Sequence, residues 1–271
     1  MKVLLVLIIC VFLLFVLFIL SLMGKRHSVP TVLKSTKYAH RGLHDKPTIP
    51  ENSMAAFEKA VLSGYGIELD VHLMRDGELA VIHDSSLKRT AGVDVNIEDL
   101  TTNDLENYYL EGTTEQIPTL KQVLTLVDGK VPLIIELKSQ NNAKQLCSAT
   151  VKVLESYSGQ WCMESFDPRC VIWFKKNRPD VTRGQLSQNF FKSKDSNLSL
   201  PLKLLLTLLS FNFLSRPDFV AFCLSHKNTL SFILATKLWG IDGFAWTIRT
   251  KEALDLSKDY GFTPIFEDFV P

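Results

Sequence analysis

The sequence lacks any pair of cysteines at metal-binding or redox spacing. Its five cysteines include no CxxC, and Cys10 falls inside an apolar N-terminus while Cys147, Cys162, Cys170 and Cys223 are scattered. A structural zinc site or a disulfide scaffold is therefore not expected, and the thiols read as small buried hydrophobes. A charge of one sign is missing too: 30 basic residues oppose 29 acidic ones. Setting Lys2 aside leaves 29 against 29, so no global field recruits nucleic acid or an acidic partner. No basic stripe interleaved with aromatics is present, which argues against nucleic acid. There is no internal repeat and no low-complexity tract. No protein partner is indicated.

What is present fits a folded protein, with 46% hydrophobic and 22% charged residues. The 271 residues suit one large domain, and an α/β barrel uses about 250. The first conspicuous feature is an uninterrupted apolar run from Val3 to Met23, with Cys10 and Ser21 its only weakly polar members. At 1.5 Å per residue it is long enough to cross a hydrocarbon core of about 30 Å. No A-x-A pattern precedes Lys25-Arg26, and no lipid-accepting cysteine ends the run. The expectation is an uncleaved single-pass anchor at residues 1–24, a polar linker with Pro30 at 25–36, and a folded domain at 37–271. Lys2 flanks one side and Lys25, Arg26, Lys34 and Lys37 the other, which favours a cytoplasmic folded domain in the cell membrane.

From Lys37 onward, short β-rich runs alternate with helical patterns. Strands are expected at Lys37–Arg41, Ile67–His72, Leu79–His83, Val131–Leu137, Trp161–Ser165, Thr182–Leu186, Phe219–Cys223, Phe244–Ile248 and Thr263–Phe266. Helices are expected over Ser53–Ser63, Thr102–Tyr109, Thr119–Val127, Asn142–Tyr157, Pro168–Asn177, Thr229–Trp239 and Thr250–Tyr260, with Ser53 and Thr119 as N-caps. Repeated β then α implies a mostly parallel sheet, and this many strands fit a closed eight-stranded barrel. Arg75-Asp76-Gly77-Glu78 is a hairpin signal, too short for a parallel crossover. The barrel is therefore distorted there, or one of the nine strands lies outside it. Leu198–Leu214 holds one charge, Lys203; it reads either as a buried barrel helix or as a helix lying in a membrane interface.

Chemistry-bearing residues gather at strand ends. Glu68 and Asp70 are two apart on one strand and share a face, which His72 continues. Two bare carboxylates side by side repel unless a cation lies between them, and a hard divalent metal is the usual resolution. Glu136 ends the apolar run 132–135, with Lys138 two further on. A charge there lies at a parallel strand's C-terminal end, where barrel active sites form. His40-Arg41-Gly42 follows the first strand and His83-Asp84 the third. Two histidines suit a general base and a general acid near neutral pH. Arg41 suits bidentate phosphate binding, and Gly42 a close backbone approach. His27, His44 and His226 fall in linker or loop contexts and receive no role.

His-Arg-Gly at 40–42, Pro-Glu-Asn at 50–52, Glu-Leu-Asp-Val-His at 68–72, Asp-Gly at 76–77, His-Asp at 83–84 and Glu-Leu-Lys at 136–138 occur in that order. Together they resemble the glycerophosphodiester phosphodiesterase family. Ser165-Phe166 and Ala245-Trp246-Thr247 match its later pattern, while Arg249 stands where many members have Asn and Met74 where Thr is common. The resemblance implies a TIM-type (β/α)8 barrel that hydrolyses a phosphodiester at a divalent metal. It implies Glu68, Asp70 and Glu136 as ligands of Ca²⁺ or Mg²⁺, and His40 and His83 as the acid–base pair. It implies Arg41, Glu51 and Lys138 as contacts to phosphate, glycerol or the metal shell, and Trp246 or Phe166 on the apolar side of the substrate. A phospholipid-derived small molecule is the implied substrate: a deacylated head-group diester or, alternatively, an acylated lysophospholipid, with membrane lipid contacted by the N-terminal helix and Leu198–Leu214. A barrel kept only as a tethered scaffold predicts decay of these positions, and all of them are in place.

Overall fold

The computed structural model describes residues 2–24, 28–193 and 198–271. In chain order the elements are α1 (Lys2–Ser21), α2 (Thr31–Ser35), β1 (Tyr38–His40), α3 (Met54–Leu62), β2 (Gly66–Leu73), β3 (Leu79–Val81), α4 (Lys88–Ala91), α5 (Leu120–Val127), β4 (Leu133–Leu137), α6 (Ala143–Leu154) and β5 (Trp161–Ser165). There follow α7 (Pro168–Asn177), β6 (Arg183–Ser187), α8 (Leu200–Thr207), α9 (Asn212–Ser215), β7 (Phe219–Cys223), α10 (Leu230–Lys237), β8 (Asp242–Ile248), α11 (Lys251–Asp259) and β9 (Thr263–Phe266).

The strands run β1-β2-β4-β5-β6-β7-β8-β9 around a ring in parallel, and β9 pairs back onto β1. This is a closed eight-stranded barrel of the TIM type. The ninth strand, β3, pairs antiparallel with β2 outside the ring. The hairpin at 75–78 explains it: Gly77 takes φ +85°, and four residues leave no length for a crossover helix.

Strands β2 and β4 are buried on both faces, as parallel barrel strands must be. Their side chains alternate. Ile67, Leu69 and Val71 of β2 and Leu133, Ile135 and Leu137 of β4 join the layer between barrel and helices. Glu68, Asp70 and Glu136 take the alternate, inward positions. Lower in the barrel the interior is apolar, with Phe219 stacked on Phe244 at 4.1 Å and Tyr38 beside Phe244. The helices start where caps allow. The Ser53 hydroxyl accepts from the Ala56 N–H, and Thr119 and Gln122 form a reciprocal capping box.

Three stretches differ from the sequence reading. Of the linker at 25–36, residues 25–27 lie outside the described residues. Within the rest, α2 forms and Val29 and Leu33 are buried with Tyr38, Phe219 and Phe244, so this part is seated against the barrel interior. Thr102–Asn107 is a 3₁₀ segment rather than an α-helix. Leu198–Leu214 is not one helix: Leu209 takes φ +54°, which separates α8 from α9. Thr207, Leu209 and Asn212 face inward, while Leu204, Leu205 and Phe213 are exposed.

Candidate active site

The C-terminal ends of the strands converge on a cavity of about 330 Å³. His40, Arg41, Glu51, Glu68, His83, Glu136 and Trp246 all line it. Asp70 and Lys138 lie beneath, with Lys138 Nζ 3.0 Å from Asp70 and 2.8 Å from Glu136. All nine site residues expected from the sequence are thus brought together.

The chain turns sharply after β1. Arg41 takes φ +56°, and Gly42 takes φ +81° with its Cα packed so closely on α3 that a Cβ would lie 2.9 Å from that of Ala56. This turn aims the Arg41 N–H at Glu68, 3.0 Å away. Arg41 also donates to Glu51 at 2.8 Å, and its Nε lies 3.5 Å from Asp70. Asn52, held by its N–H to the Arg41 carbonyl, donates its side-chain amide to Asp70 at 2.8 Å.

Glu68, Asp70 and Glu136 are buried, and one oxygen of each lies within 4.8 Å of the others. Glu164 of β5, next to Glu136 in register, is a fourth buried carboxylate lining the cavity. Burial raises Glu68, and the charges of Asp70 and Glu136 raise it further. Burial likewise raises Glu136, against the pull of Lys138. Asp70 goes the other way: burial opposes its ionisation, but Lys138, His83 and Arg41 hold it below the usual carboxylate range. Lys138 stays charged although burial works against it, because Asp70 and Glu136 flank it. Four carboxylates thus face Lys138 and Arg41, and Arg41 also serves Glu51. The Glu164 Oε2 atom is buried without a hydrogen bond, and the Asp70 Oδ1 atom has only the Lys138 ammonium beside it. This all-oxygen donor set with excess negative charge fits a hard divalent cation held by Glu68, Asp70 and Glu136.

Both histidines line the cavity beside that set, since β1, which ends in His40, and β3, which leads into His83, pair with β2 along the same edge. His40 Nδ1 is hydrogen-bonded to Glu267, which follows β9. Burial would raise the Glu267 carboxyl, but the bonds from His40 and His44 and the charge of Arg249 hold it far below the usual range. The Glu267 carboxylate accepts a hydrogen bond from the Nδ1–H, so the free lone pair of His40 is on Nε2, which faces Glu68 at 3.9 Å. Burial lowers the His40 pKa, with the Glu267 bond opposing. His83 is oriented in the same manner: its Nδ1 lies 2.6 Å from Asp84, and Arg89 donates to Asp84 at 2.5 Å and to Glu51 at 2.7 Å. Lys46 adds a third cation to Glu51 at 3.1 Å.

Some placements correct the sequence reading. His72 is buried between Glu98, at 2.6 Å from Nδ1, and the His83 carbonyl, at 3.1 Å from Nε2, so it supports the His83 loop. His44, given no role, lines the cavity 3.8 Å from Glu267. His27 lies outside the described residues. Glu267, Glu164 and Arg89 were not singled out. The signal for Glu267 was present, since it follows the β-rich run Thr263–Phe266 as Glu136 follows its own. Trp246 and Phe166 meet edge to face, 5.7 Å between centroids, and the Trp246 Nε1 is buried without a partner.

The profile of the "Glycerophosphoryl diester phosphodiesterase family" matches residues 40–271. A glycerophosphodiester phosphodiesterase from Caldanaerobacter subterraneus is 30% identical over 247 residues, 87% of this chain and 95% of that one. A rat lysophospholipase D is 39% identical over 105 residues, 34% of this chain and 33% of that one. Among solved structures, an Oleispira antarctica phosphodiesterase in complex with the product sn-glycerol-3-phosphate superposes with a TM-score of 0.69 at 24% identity, covering 86% of this chain and 92% of that one. That likeness is one of fold.

Proposed function

The chain belongs to the glycerophosphoryl diester phosphodiesterase family and is a phosphodiester hydrolase of that type; from that premise we propose a metal-dependent, two-histidine hydrolysis of glycerophosphodiesters to glycerol 3-phosphate and an alcohol, in phospholipid head-group metabolism. The observation that carries it is the buried Glu68–Asp70–Glu136 set on the adjacent strands β2 and β4, with His40 and His83 lining the same cavity.

Ca²⁺ or Mg²⁺ at those three carboxylates would polarise a phosphoryl oxygen and offset the charge that grows in the transition state. Arg41 and Lys138 hold the phosphate from beneath, and Glu51 keeps Arg41 in place. Trp246 covers the apolar side of the substrate. His40 is the base: neutral through burial, with Nδ1 tied to Glu267, it takes the proton of the attacking hydroxyl on Nε2. That hydroxyl is water or the substrate's own glycerol 2-OH, the latter giving a cyclic phosphate first. His83, oriented by Asp84, protonates the departing alcohol.

We assign residues 1–24 to a single-pass anchor in the cell membrane, 25–36 to a connecting segment and 37–271 to the catalytic barrel on the cytoplasmic side. Among the described residues α1 is the one helix long and apolar enough to cross a membrane. The anchor and the exposed leucines of α8 favour a second reading of the same chemistry, a lysophospholipase D acting on acylated lipid at the bilayer. Assaying glycerophosphocholine and lysophosphatidylcholine in parallel tests both. Faster turnover of the deacylated diester supports the first reading, faster turnover of the lysophospholipid the second, and cleavage of neither by folded, metal-loaded protein overturns both.

A further inference from the structure

The end of α1 is built into the barrel rather than joined to it by a tether. Its residues are exposed almost throughout up to Phe15, but Phe18 packs against the core and Leu22 is fully buried. Trp239, just past α10, donates its indole N–H to the Ile19 carbonyl at 2.9 Å. Gly24 lies so close to the barrel that a Cβ would meet Ile241 at 2.4 Å and the Pro217 carbonyl at 2.9 Å. α1 also packs against α9.

A helix fixed in this way carries the flank around it to wherever it leaves the bilayer. That flank is α8, α9 and α10, joined by the Ser231 hydroxyl donating to the Thr207 carbonyl at 2.5 Å. It exposes Leu200, Leu204, Leu205, Phe213, Leu214 and Leu238 at 41–71% of their surface. Several large apolar side chains exposed on neighbouring elements mark an interaction site. Its charge pattern names the occupant: between Leu198 and Ile241 the cations are Lys203, Arg216, Lys227 and Lys237, and the one acidic residue, Asp218, is buried. Exposed apolar residues in a stretch whose exposed charges are all cationic suit an anionic lipid surface, with acyl chains taking the leucines and headgroups the cations.

We propose that the α8–α9–α10 flank lies in the headgroup region of the bilayer that α1 spans, and that the α1 mount fixes this flank against the lipid. The proposal rests on the anchored reading above. It gives the barrel one orientation at the membrane, with α3, on the other side of the ring, turned away.

The full chain in phosphatidylcholine–phosphatidylglycerol vesicles tests it. A phosphatidylcholine carrying a diazirine near its glycerol backbone is photolysed, and labelled peptides are mapped by mass spectrometry. Residues 200–214 and 230–238 should label several-fold above the α3 and α5 peptides. Leu204→Glu with Phe213→Glu should reduce that labelling to the α3 level while the protein still floats with the vesicles. Protein that does not float overturns the anchored reading itself. Protein that floats with α8–α10 labelled no more than α3 overturns the lipid-facing flank alone. The wild-type map decides between these even where the double variant does not fold.

Discussion

Glu267, the residue after β9, holds the Nδ1 of His40, the last residue of β1, across the seam where the barrel closes. The bond fixes the tautomer of a half-buried histidine and points its other nitrogen at the carboxylate cluster. Arg249 neutralises the outer oxygen of the same carboxylate.

Glu267→Gln should therefore lower kcat by about 10²-fold, the low end of the range for acid–base catalysis, with little change in KM. The amide removes the charge and leaves the choice of tautomer open. Steady-state kinetics on glycerophosphocholine checks it, and a changed KM with unchanged kcat would contradict the orienting role.

His83→Ala should cost about 10²–10⁴ in rate. Asp84→Asn should cost less, because Arg89 and the loop held by His72 still position the ring. If His83 protonates the leaving alcohol, a substrate with a good leaving group, such as a nitrophenyl diester, should lose far less activity with His83→Ala than with His40→Ala.

Glu51 gives a stability prediction with a definite sign. Burial would raise its carboxyl, but the hydrogen bond from Arg89 and the charges of Arg41, Arg89 and Lys46 depress it well below the ordinary range. A depressed carboxyl adds stability that is fully present above its unfolded pKa of about 4.3 and fades as pH falls below that toward the folded value. Glu51→Gln should destabilise by roughly 2–3 kcal/mol at pH 7, the scale of a hydrogen bond to a charged group, and by less at pH 3. Denaturant melts at the two pH values measure the difference.

Much of this site was legible because a parallel strand writes its active end into sequence. Apolar runs closing on Glu136 or on Asp70 and His72 announce buried strands whose C-terminal ends carry charge. The hairpin at 75–78 announced that nine strands would not all enter the ring, though not that β3 was the one left out. The partners of the histidines were harder to read. Glu267 is 227 residues from His40 and meets it only when β9 closes on β1. Arg89 links Asp84 to Glu51 from a four-residue helix with no strand signal. Leu198–Leu214 carried a composition but not its break, since nothing in the local sequence marks Leu209 for a left-handed backbone.

The carboxylate cluster predicts that metal and fold are linked. With no cation, Glu68, Asp70 and Glu136 repel one another in a buried space, so Ca²⁺ or Mg²⁺ at 100 times its Kd should add about 2.7 kcal/mol of stability. Calorimetry should show a rise in Tm with metal that Asp70→Asn reduces.

The most direct measurement is release of glycerol 3-phosphate from glycerophosphocholine by the full-length chain in detergent, before and after chelation by EDTA. The account predicts that EDTA abolishes cleavage, that Ca²⁺ or Mg²⁺ restores it, and that Glu68→Gln, Asp70→Asn and Glu136→Gln each resist restoration. Cleavage that continues undiminished after chelation, or survives loss of all three carboxylates, would contradict it.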